Sequence, residues 1–250
     1  AQVGKLIGKP ALVFYDTENA SLTNRLVYPL AHSVCTPDCY QGPVNGRHIT
    51  YPGYHELAYL HPDRFTPDPD VLRSAGVAPD EPFFLVRLVS WQASHDIGEQ
   101  GLSDAFVNRL LELLSPRGRI LISSEGALPE SLEPYRFTLN PKDMHHFIAF
   151  SRMLIGESAT MASEAAVLGV PAFFISDTGR GYTDDQEEHF KLTFNYQRKD
   201  ADKALEQVEA LLKQDDLAED FQARREKMLG EKIDTTSWMI DYVDQVVQGR

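Results

Sequence analysis

Strand-like and helix-like segments alternate after residue 82, and this alternation constrains the fold more than any other feature of the sequence. Apolar runs at 83–89, 119–123, 153–156 and 172–176 have the length and composition of buried strands. A segment with helical spacing of apolar residues separates each run from the next. Strands that alternate with helices in this way form a parallel sheet with helices on both faces. We therefore predict an α/β fold built around a Rossmann-type parallel sheet.

The same spacing predicts where the helices of this region begin and end. The expected helices are 102–114, 141–151, 159–168, 184–190, 200–214 and 217–248, the last with a break near Gly230. A weaker strand is predicted at 135–139, where Tyr, Phe and Leu alternate with Arg and Thr.

The first part of the chain is less regular and less charged. Short apolar runs at 11–15 and 33–36 predict two strands, with a helix at about 20–31 between them. Residues 41–81 are rich in Pro and Gly and show little periodicity, which is typical of a connecting segment. The formal net charge of −13 arises almost entirely after residue 78. We therefore predict two regions, residues 1–78 and 79–250.

Composition argues against several classes of partner. The sequence has 37 acidic and 24 basic residues. This excess of negative charge disfavours nucleic acid and anionic lipid as partners. No apolar run approaches the ~18–20 residues of a membrane-spanning helix, and the N-terminus lacks a signal peptide. Cys35 and Cys39 are predicted to be small core residues, and no metal-ligand spacing is present. We expect a cytoplasmic protein, monomeric or oligomeric, whose chain is truncated, processed or naturally short at its N-terminus.

The turn between the strand at 153–156 and the next helix is the most informative motif. Ser158 and Thr160 offer hydroxyl donors beside the free N–H groups of a helix N-terminus, and Ala159 leaves the backbone open to a phosphate. Glu164 lies one helical turn beyond Thr160, where a carboxylate can accept two hydrogen bonds from a ribose diol. The alternative is an ordinary helix cap at Ser158, with Glu164 as a solvated charge.

This motif resembles the donor half of the two-domain nucleotide-sugar enzymes of GT-B type. It is similar to the N-acetylglucosaminyltransferase of peptidoglycan lipid precursor synthesis and to the UDP-N-acetylglucosamine 2-epimerases. Those families carry Ser-Gly-Ala or Ser-Gly-Gly at this turn and a Glu six residues after the Ser, as Ser158 and Glu164 are spaced here. The pair Asp143-Met144 matches an upstream Asp-Met pair of the transferase.

The chain also resembles, over about residues 8–248, an uncharacterised prokaryotic family placed among GT-B-like proteins. The segments that match its signatures are 15–20, 90–96 and 157–169. The resemblance implies a GT-B-like fold in which residues 79–250 bind a nucleotide sugar. Residues 1–78 would then be a shortened acceptor-side region with a linker, and the last helix could cross back to it.

The resemblance also implies which residues bind a UDP-type sugar. The nucleotide would contact Ser158, Ala159, Thr160, Glu164, Asn140, Pro141 and Met144, with the last three beside the uracil. The sugar would contact Asp185, Gln186 and Arg180, although an ordinary loop is the alternative for these three. The sequence departs from the family pattern because Ala159 and Thr160 leave the diphosphate less room than glycine would.

Polar residues after the strand at 11–15 are the candidates for acid–base catalysis. Asp16 or Glu18 would serve as a general base on a cleft between domains, where desolvation raises the pKa of a carboxylate. An ordinary helix cap at Asp16 or Asn19 is the alternative. By resemblance, Glu18 is the counterpart of a catalytic Glu of the epimerases. His95 is likewise the counterpart of a catalytic His, and Asp96 would orient it.

Three functions remain open from the sequence. The favoured one is metal-independent and cofactor-independent transfer of a sugar from a UDP-type donor to a lipid-linked or polysaccharide acceptor. The second is epimerisation or hydrolysis of the same nucleotide sugar, and the third is binding without catalysis. A lipid-linked acceptor would place the protein at the inner face of the membrane.

Overall fold

The structure is a computed structural model that describes residues 1–89, 101–124 and 126–249. Within these residues the chain forms two sheets, and both are parallel. The first sheet has the strand order β1-β2-β3, with β1 at Leu12–Phe14, β2 at Ser33–Pro37 and β3 at His48–Tyr51. Every residue of the central strand β2 is buried, so this strand forms the core of the first sheet.

The second sheet has the order β5-β4-β6-β7-β8. Its strands are β4 (Phe83–Leu88), β5 (Arg119–Ser124), β6 (Leu154–Gly156), β7 (Ala172–Ile175) and β8 (Thr193–Tyr196). The chain passes from β4 to β5 on one side and then returns to place β6 on the other side of β4. Such a reversal of strand order opens a crevice outside the carboxyl ends of the strands, where α/β proteins bind ligands.

Ten α-helices lie in the described residues. In chain order they are α1 (Gln2–Leu6), α2 (Ser21–Val27), α3 (Leu57–Leu60), α4 (Asp104–Leu114), α5 (Met144–Phe150), α6 (Ala159–Val167), α7 (Gly181–Glu188), α8 (Ala201–Leu211), α9 (Leu217–Glu231) and α10 (Thr235–Val247). Below, the first unit denotes β1–β3 with α1–α3, and the second unit denotes β4–β8 with α4–α9.

Helix α6 is buried in the second unit over most of its length. Its residues Ala162, Ala165 and Ala166 are fully buried. Because alanine side chains are small, the helix can pack closely against its neighbours on several faces. The close packing fixes the position of the α6 N-terminus at the crevice.

The predicted α/β architecture with a parallel sheet is confirmed, but several local predictions were wrong. No strand forms at 135–139, because a 3-10 turn occupies Glu133–Tyr135 and only Arg136 bridges to Ile122. The segment 41–81 is not an unstructured connection, since it contains β3, α3 and a 3-10 helix at Pro69–Ala75. Strand β8 was not predicted.

The predicted break near Gly230 in the C-terminal helix is confirmed, although it falls slightly later in the chain. Gly230 lies inside α9, and the interruption comes at residues 232–234. Asp234 then caps α10 by accepting the N–H groups of Thr236 and Ser237. A side chain that satisfies two free N–H groups starts a new helix more effectively than a glycine ends the preceding one.

Helix α10 packs against the first unit. The Trp238 ring lies 4.7 Å from the Tyr51 ring and 6.3 Å from the Phe14 ring, centroid to centroid. The Thr235 hydroxyl donates to the backbone oxygen of Tyr54 at 2.7 Å. The chain thus returns to its first sheet after completing the second. The domain boundary at residue 78 stays a prediction. No helix of the described residues is long and apolar enough to span a bilayer.

Candidate functional site

Helix α6 begins directly after β6, and a glycine allows that turn. A Cβ on Gly156 would collide with the backbone oxygen of Arg87 in the adjacent strand, so only glycine fits there. Ser158 caps α6 by accepting the Met161 N–H at 3.3 Å. Ser158 is therefore a helix cap, as the alternative interpretation expected. The contact of Ser158 with a diphosphate stays a prediction.

A pocket of about 420 Å³ opens beside α6, and we call it the α6 pocket. Its lining residues are Arg87, Ser123, Ser124, Arg136, Phe137, Thr138, Leu139, Pro141, Met144, His145, Met161 and Glu164. Pro141, Met144 and Glu164, all predicted to contact the nucleotide, thus lie on one pocket. Asn140 does not line it, and its exposed side chain accepts the Lys142 N–H at 3.3 Å, which begins a 3-10 turn.

Glu164 forms part of the wall of the α6 pocket and is only 7% exposed. Its Oε1 accepts the Tyr59 hydroxyl at 3.0 Å and contacts His145 Nε2 at 2.9 Å. Tyr59 belongs to α3 of the first unit, so the carboxylate is oriented by both units. Burial raises the pKa of the Tyr59 phenol, and the adjacent charge of Glu164 raises it further. Tyr59 therefore remains protonated and keeps donating to Glu164 at neutral pH.

Asp16, His55 and Glu56 lie where the first unit meets α6, and we call them the carboxyl cluster. His55 Nδ1 is 3.9 Å from Asp16 Oδ2 and 3.1 Å from the Tyr51 hydroxyl. Glu56 is 2% exposed and is hydrogen-bonded to Ser163 of α6. Burial raises the pKa of Glu56 to about 8, and the charge of Asp16 contributes to that rise. Glu56 consequently holds its proton at neutral pH.

Tyr182 connects the carboxyl cluster to the N-terminus of α6. Its side chain is buried and is hydrogen-bonded to Thr160, which is exposed in the first turn of α6. Burial raises the pKa of the Tyr182 phenol, and the carboxylates of Glu56 and Asp16 raise it further. Asp16 and Thr160 thus both lie near Tyr182, and Ala159 is buried.

Glu18 belongs to the loop before α2, and its carboxylate contacts the first residue of α7. The side chain therefore joins the two units. Its Oε1 accepts the N–H of Gly181 at 3.1 Å and that of Gln41 at 3.3 Å. Its Oε2 is buried and has no hydrogen-bond partner in the described residues. This geometry fixes the carboxylate and leaves one oxygen able to accept a proton or a hydrogen bond. The role of Glu18 as a base stays a prediction.

The predicted sugar-binding residues of α7 mostly make contacts within the protein. Gln186 is fully buried, and its amide donates to Ser163 Oγ at 2.7 Å, so a sugar would have to displace that bond. Asp185 accepts the Tyr54 hydroxyl and pairs with Lys232 at 3.1 Å. Arg180 is the N-cap residue of α7, and its guanidinium donates to the backbone oxygen of Gly179. The structure gives Gln186 a structural contact, and the sugar-binding roles remain predictions.

His95 and Asp96 lie outside the described residues, so the predicted juxtaposition of His95 with Glu18 stays a prediction. Within the described ranges, no group of three or more His, Cys, Asp and Glu side chains is arranged to hold a metal ion. Cys35 is buried and Cys39 is half-buried, and both are unpaired thiols.

Sequence reasoning missed several members of the site. Glu56 and Tyr59 lie in the segment taken for a connection, and His145 was not among the predicted site residues. A signal was present in Tyr54, Leu57 and Leu60, whose spacing of three indicates a helical turn.

Comparison of the sequence with protein-family profiles and with curated proteins finds no match. The fold, however, is shared with solved structures. The UDP-GlcNAc 2-epimerase of Methanocaldococcus jannaschii aligns with a TM-score of 0.60 and 11% identity, over 86% of this chain and 66% of the epimerase. The S. aureus MnaA structure with UDP aligns with a TM-score of 0.54 and 14% identity, over 88% of this chain and 70% of MnaA.

Glycosyltransferases are also among the structural neighbours. The spinosyn forosaminyltransferase SpnP aligns with a TM-score of 0.53 and 12% identity, over 98% of this chain and 72% of SpnP. The wall teichoic acid polymerase TagF aligns with a TM-score of 0.51 and 11% identity over 92% of this chain, which spans 61% of TagF. The chain therefore has a GT-B-like fold, as predicted, and corresponds to only part of these proteins. The predicted resemblance to epimerases and transferases is confirmed at the level of the fold.

Proposed function

We propose that the protein binds a UDP-type nucleotide sugar in the α6 pocket and transfers the sugar to an acceptor without a metal ion or other cofactor. The observation that carries the proposal is the α6 pocket itself, which lies where parallel α/β sheets bind ligands and has the nearly buried carboxylate of Glu164 in its wall. UDP in the MnaA structure and the names of the epimerase neighbours support this class of ligand.

The parts of the nucleotide are assigned to residues that line the α6 pocket and to the first residues of α6. The ribose diol would donate to the carboxylate of Glu164, which Tyr59 and His145 hold in place through Oε1. The uracil would lie against Pro141 and Met144, with Asn140 at the edge of the pocket. The diphosphate would approach Ser158, Ala159 and Thr160, where the positive end of the α6 dipole stabilises negative charge.

The transfer step would use Asp16 or Glu18 of the first unit together with His95. A hydroxyl oxygen of the acceptor would form a bond to the anomeric carbon, while the bond from that carbon to the phosphate oxygen breaks. The bonding electrons leave with UDP, and the hydroxyl proton passes to Asp16 or Glu18. His95 would donate to the leaving phosphate. The acceptor would be lipid-linked or a polysaccharide, in the cytoplasm or at the inner face of the membrane.

Epimerisation or hydrolysis is the second candidate, and the carboxyl cluster favours it. Glu56 is protonated at neutral pH and lies beside the negative charge of Asp16, so one acid and one base share a region. An epimerase or hydrolase would release UDP without any acceptor, whereas a transferase would need one. Binding of the nucleotide sugar with no turnover would instead indicate a binding module.

Calorimetric titration of UDP into Glu164→Ala tests the proposal. Loss of hydrogen bonds to a charged group costs roughly 1–3 kcal/mol, so UDP affinity should fall about 5- to 150-fold. Glu112→Ala is the matched control, because Glu112 is exposed on α4 and does not line the α6 pocket. Unchanged UDP affinity in folded Glu164→Ala would show that Glu164 does not hold the ribose.

A further inference from the structure

In the wall of the α6 pocket, the carboxylate of Glu164 has one of its two oxygens already occupied. Oε1 accepts the Tyr59 hydroxyl at 3.0 Å and contacts His145 Nε2 at 2.9 Å. A carboxylate can only accept hydrogen bonds, so the hydrogen of the neutral His145 ring is assigned to Nε2, and that nitrogen donates. Since a carboxylate oxygen has two lone pairs, Oε1 has none left for a ligand.

The two donors to Oε1 are held in place by their surroundings. The His145 ring lies 5.4 Å from the Tyr59 ring and 6.0 Å from the Phe65 ring, centroid to centroid. Burial raises the pKa of the Tyr59 phenol, and the charge of Glu164 raises it further, so the hydroxyl keeps its proton. A ligand that displaced both donors would break two hydrogen bonds to a charged group, and a ribose hydroxyl would replace only one of them.

The other carboxylate oxygen, Oε2, is the one that a nucleotide can reach. It accepts no hydrogen bond within the described residues, and it is not sealed from solvent. The two oxygens of a cis diol lie about one hydrogen-bond length apart, so from Oε2 they subtend roughly 60°, whereas the lone pairs of this oxygen diverge by about 120°. Oε2 can therefore align with one ribose hydroxyl but not with both.

We propose that Glu164 recognises a single ribose hydroxyl, so that the α6 pocket accepts 2′-deoxyribonucleoside diphosphates as well as ribonucleoside diphosphates. In a 2′-deoxynucleotide the 3′-hydroxyl remains, and it donates to Oε2. Tyr59 and His145 determine this specificity as positioning residues, because they act through Glu164 by occupying Oε1. The inference rests on the proposed function, since it names the class of nucleotide that the same pocket binds.

Calorimetry with UDP, 2′-deoxy-UDP and 2′,3′-dideoxy-UDP tests the proposal on the wild-type protein. The dissociation constants of UDP and 2′-deoxy-UDP should agree within about threefold, because both nucleotides donate one hydroxyl to Oε2. The dideoxy compound should bind at least about tenfold more weakly, since it loses the hydrogen bond to the charged acceptor.

His145→Ala tests the part played by Oε1. The substitution frees one lone pair of Oε1 and removes a side chain from the pocket wall, so a diol can then use both carboxylate oxygens. The preference for UDP over 2′-deoxy-UDP should rise to at least about tenfold. If His145 were merely structural, both affinities would change equally and their ratio would stay the same.

His146→Ala is the matched control for His145→Ala. His146 is the next residue of α5, does not line the α6 pocket, and accepts the Asp68 N–H at 2.9 Å. This variant should bind UDP and 2′-deoxy-UDP in the wild-type ratio.

Two results would overturn the inference while leaving the proposed function in place. They are wild-type binding of UDP at least tenfold more tightly than 2′-deoxy-UDP, and an unchanged ratio of the two affinities in folded His145→Ala. If the wild type binds none of the three nucleotides, the proposed function fails, and this inference fails with it.

Discussion

Glu56→Gln is the substitution whose effect follows most directly from the structure. Glu56 is buried between α3 and α6, is hydrogen-bonded to Ser163, and lies close enough to Asp16 and Glu164 for both charges to act on it. Burial and these charges raise its pKa from 4.5 to about 8. Glutamine has the same shape and remains neutral at every pH, so the substitution removes only the ionisation.

The direction of the effect follows from proton binding. Between pH 4.5 and about 8, the unfolded chain has released the Glu56 proton while the folded protein keeps it, so unfolding releases a proton and stability falls as pH rises. At about 1.4 kcal/mol per pH unit, the interval corresponds to about 5 kcal/mol. Glu56→Gln should therefore match the wild type near pH 4.5 and exceed its free energy of unfolding by up to about 5 kcal/mol at pH 9.

Urea denaturation at pH 5, 7 and 9 measures this difference, because other titrating groups contribute equally to both proteins. Glu112→Gln, on the exposed face of α4, is the control and should follow the wild type at every pH. If the difference between Glu56→Gln and the wild type does not grow with pH, Glu56 is ionised in the folded protein and the reasoning is refuted.

Three further substitutions test other parts of the structure. Ser158→Asp should keep the thermal midpoint, because aspartate also caps helices, but should abolish UDP binding in calorimetry by placing a charge beside the diphosphate. Tyr59→Phe should lower the free energy of unfolding by about 1–2 kcal/mol in urea denaturation, since Glu164 loses a donor. Lys232→Met should lower it by roughly 3 kcal/mol, because Lys232 is 9% exposed in its side chain and Asp185 would be left without its cation.

The second sheet could be predicted from the sequence for a physical reason. Strands buried on both faces must be apolar along their whole length, and β4, β6 and β7 are buried at nearly every position. Strand β3 could not be predicted in this way, because two of its four residues are exposed and the apolar signal is absent. The turn at Pro52-Gly53 further interrupts the pattern before α3.

In the candidate site, too, the features that depend on local sequence could be predicted and those that depend on distant residues could not. Glu164 could be predicted because its motif is local, with the cap, the first turn and the acid within seven residues. Its partner Tyr59 lies 105 residues away in the sequence, and no local pattern specifies that contact. The raised pKa of Glu56 is equally non-local, since it arises from burial against α6 and from Asp16.

Several of the predicted functional residues also join the two units. Glu164 accepts the Tyr59 hydroxyl of the first unit, Glu18 accepts the N–H of Gly181 of the second, and Asp185 accepts the Tyr54 hydroxyl of the first unit. Separation of the units would break these contacts and change the wall of the α6 pocket together with the orientation of Glu18. The shape of the α6 pocket and the packing of the units are therefore coupled. Because truncating such a side chain disturbs both, substitutions that keep its shape, such as Glu18→Gln, distinguish a binding role from a packing role.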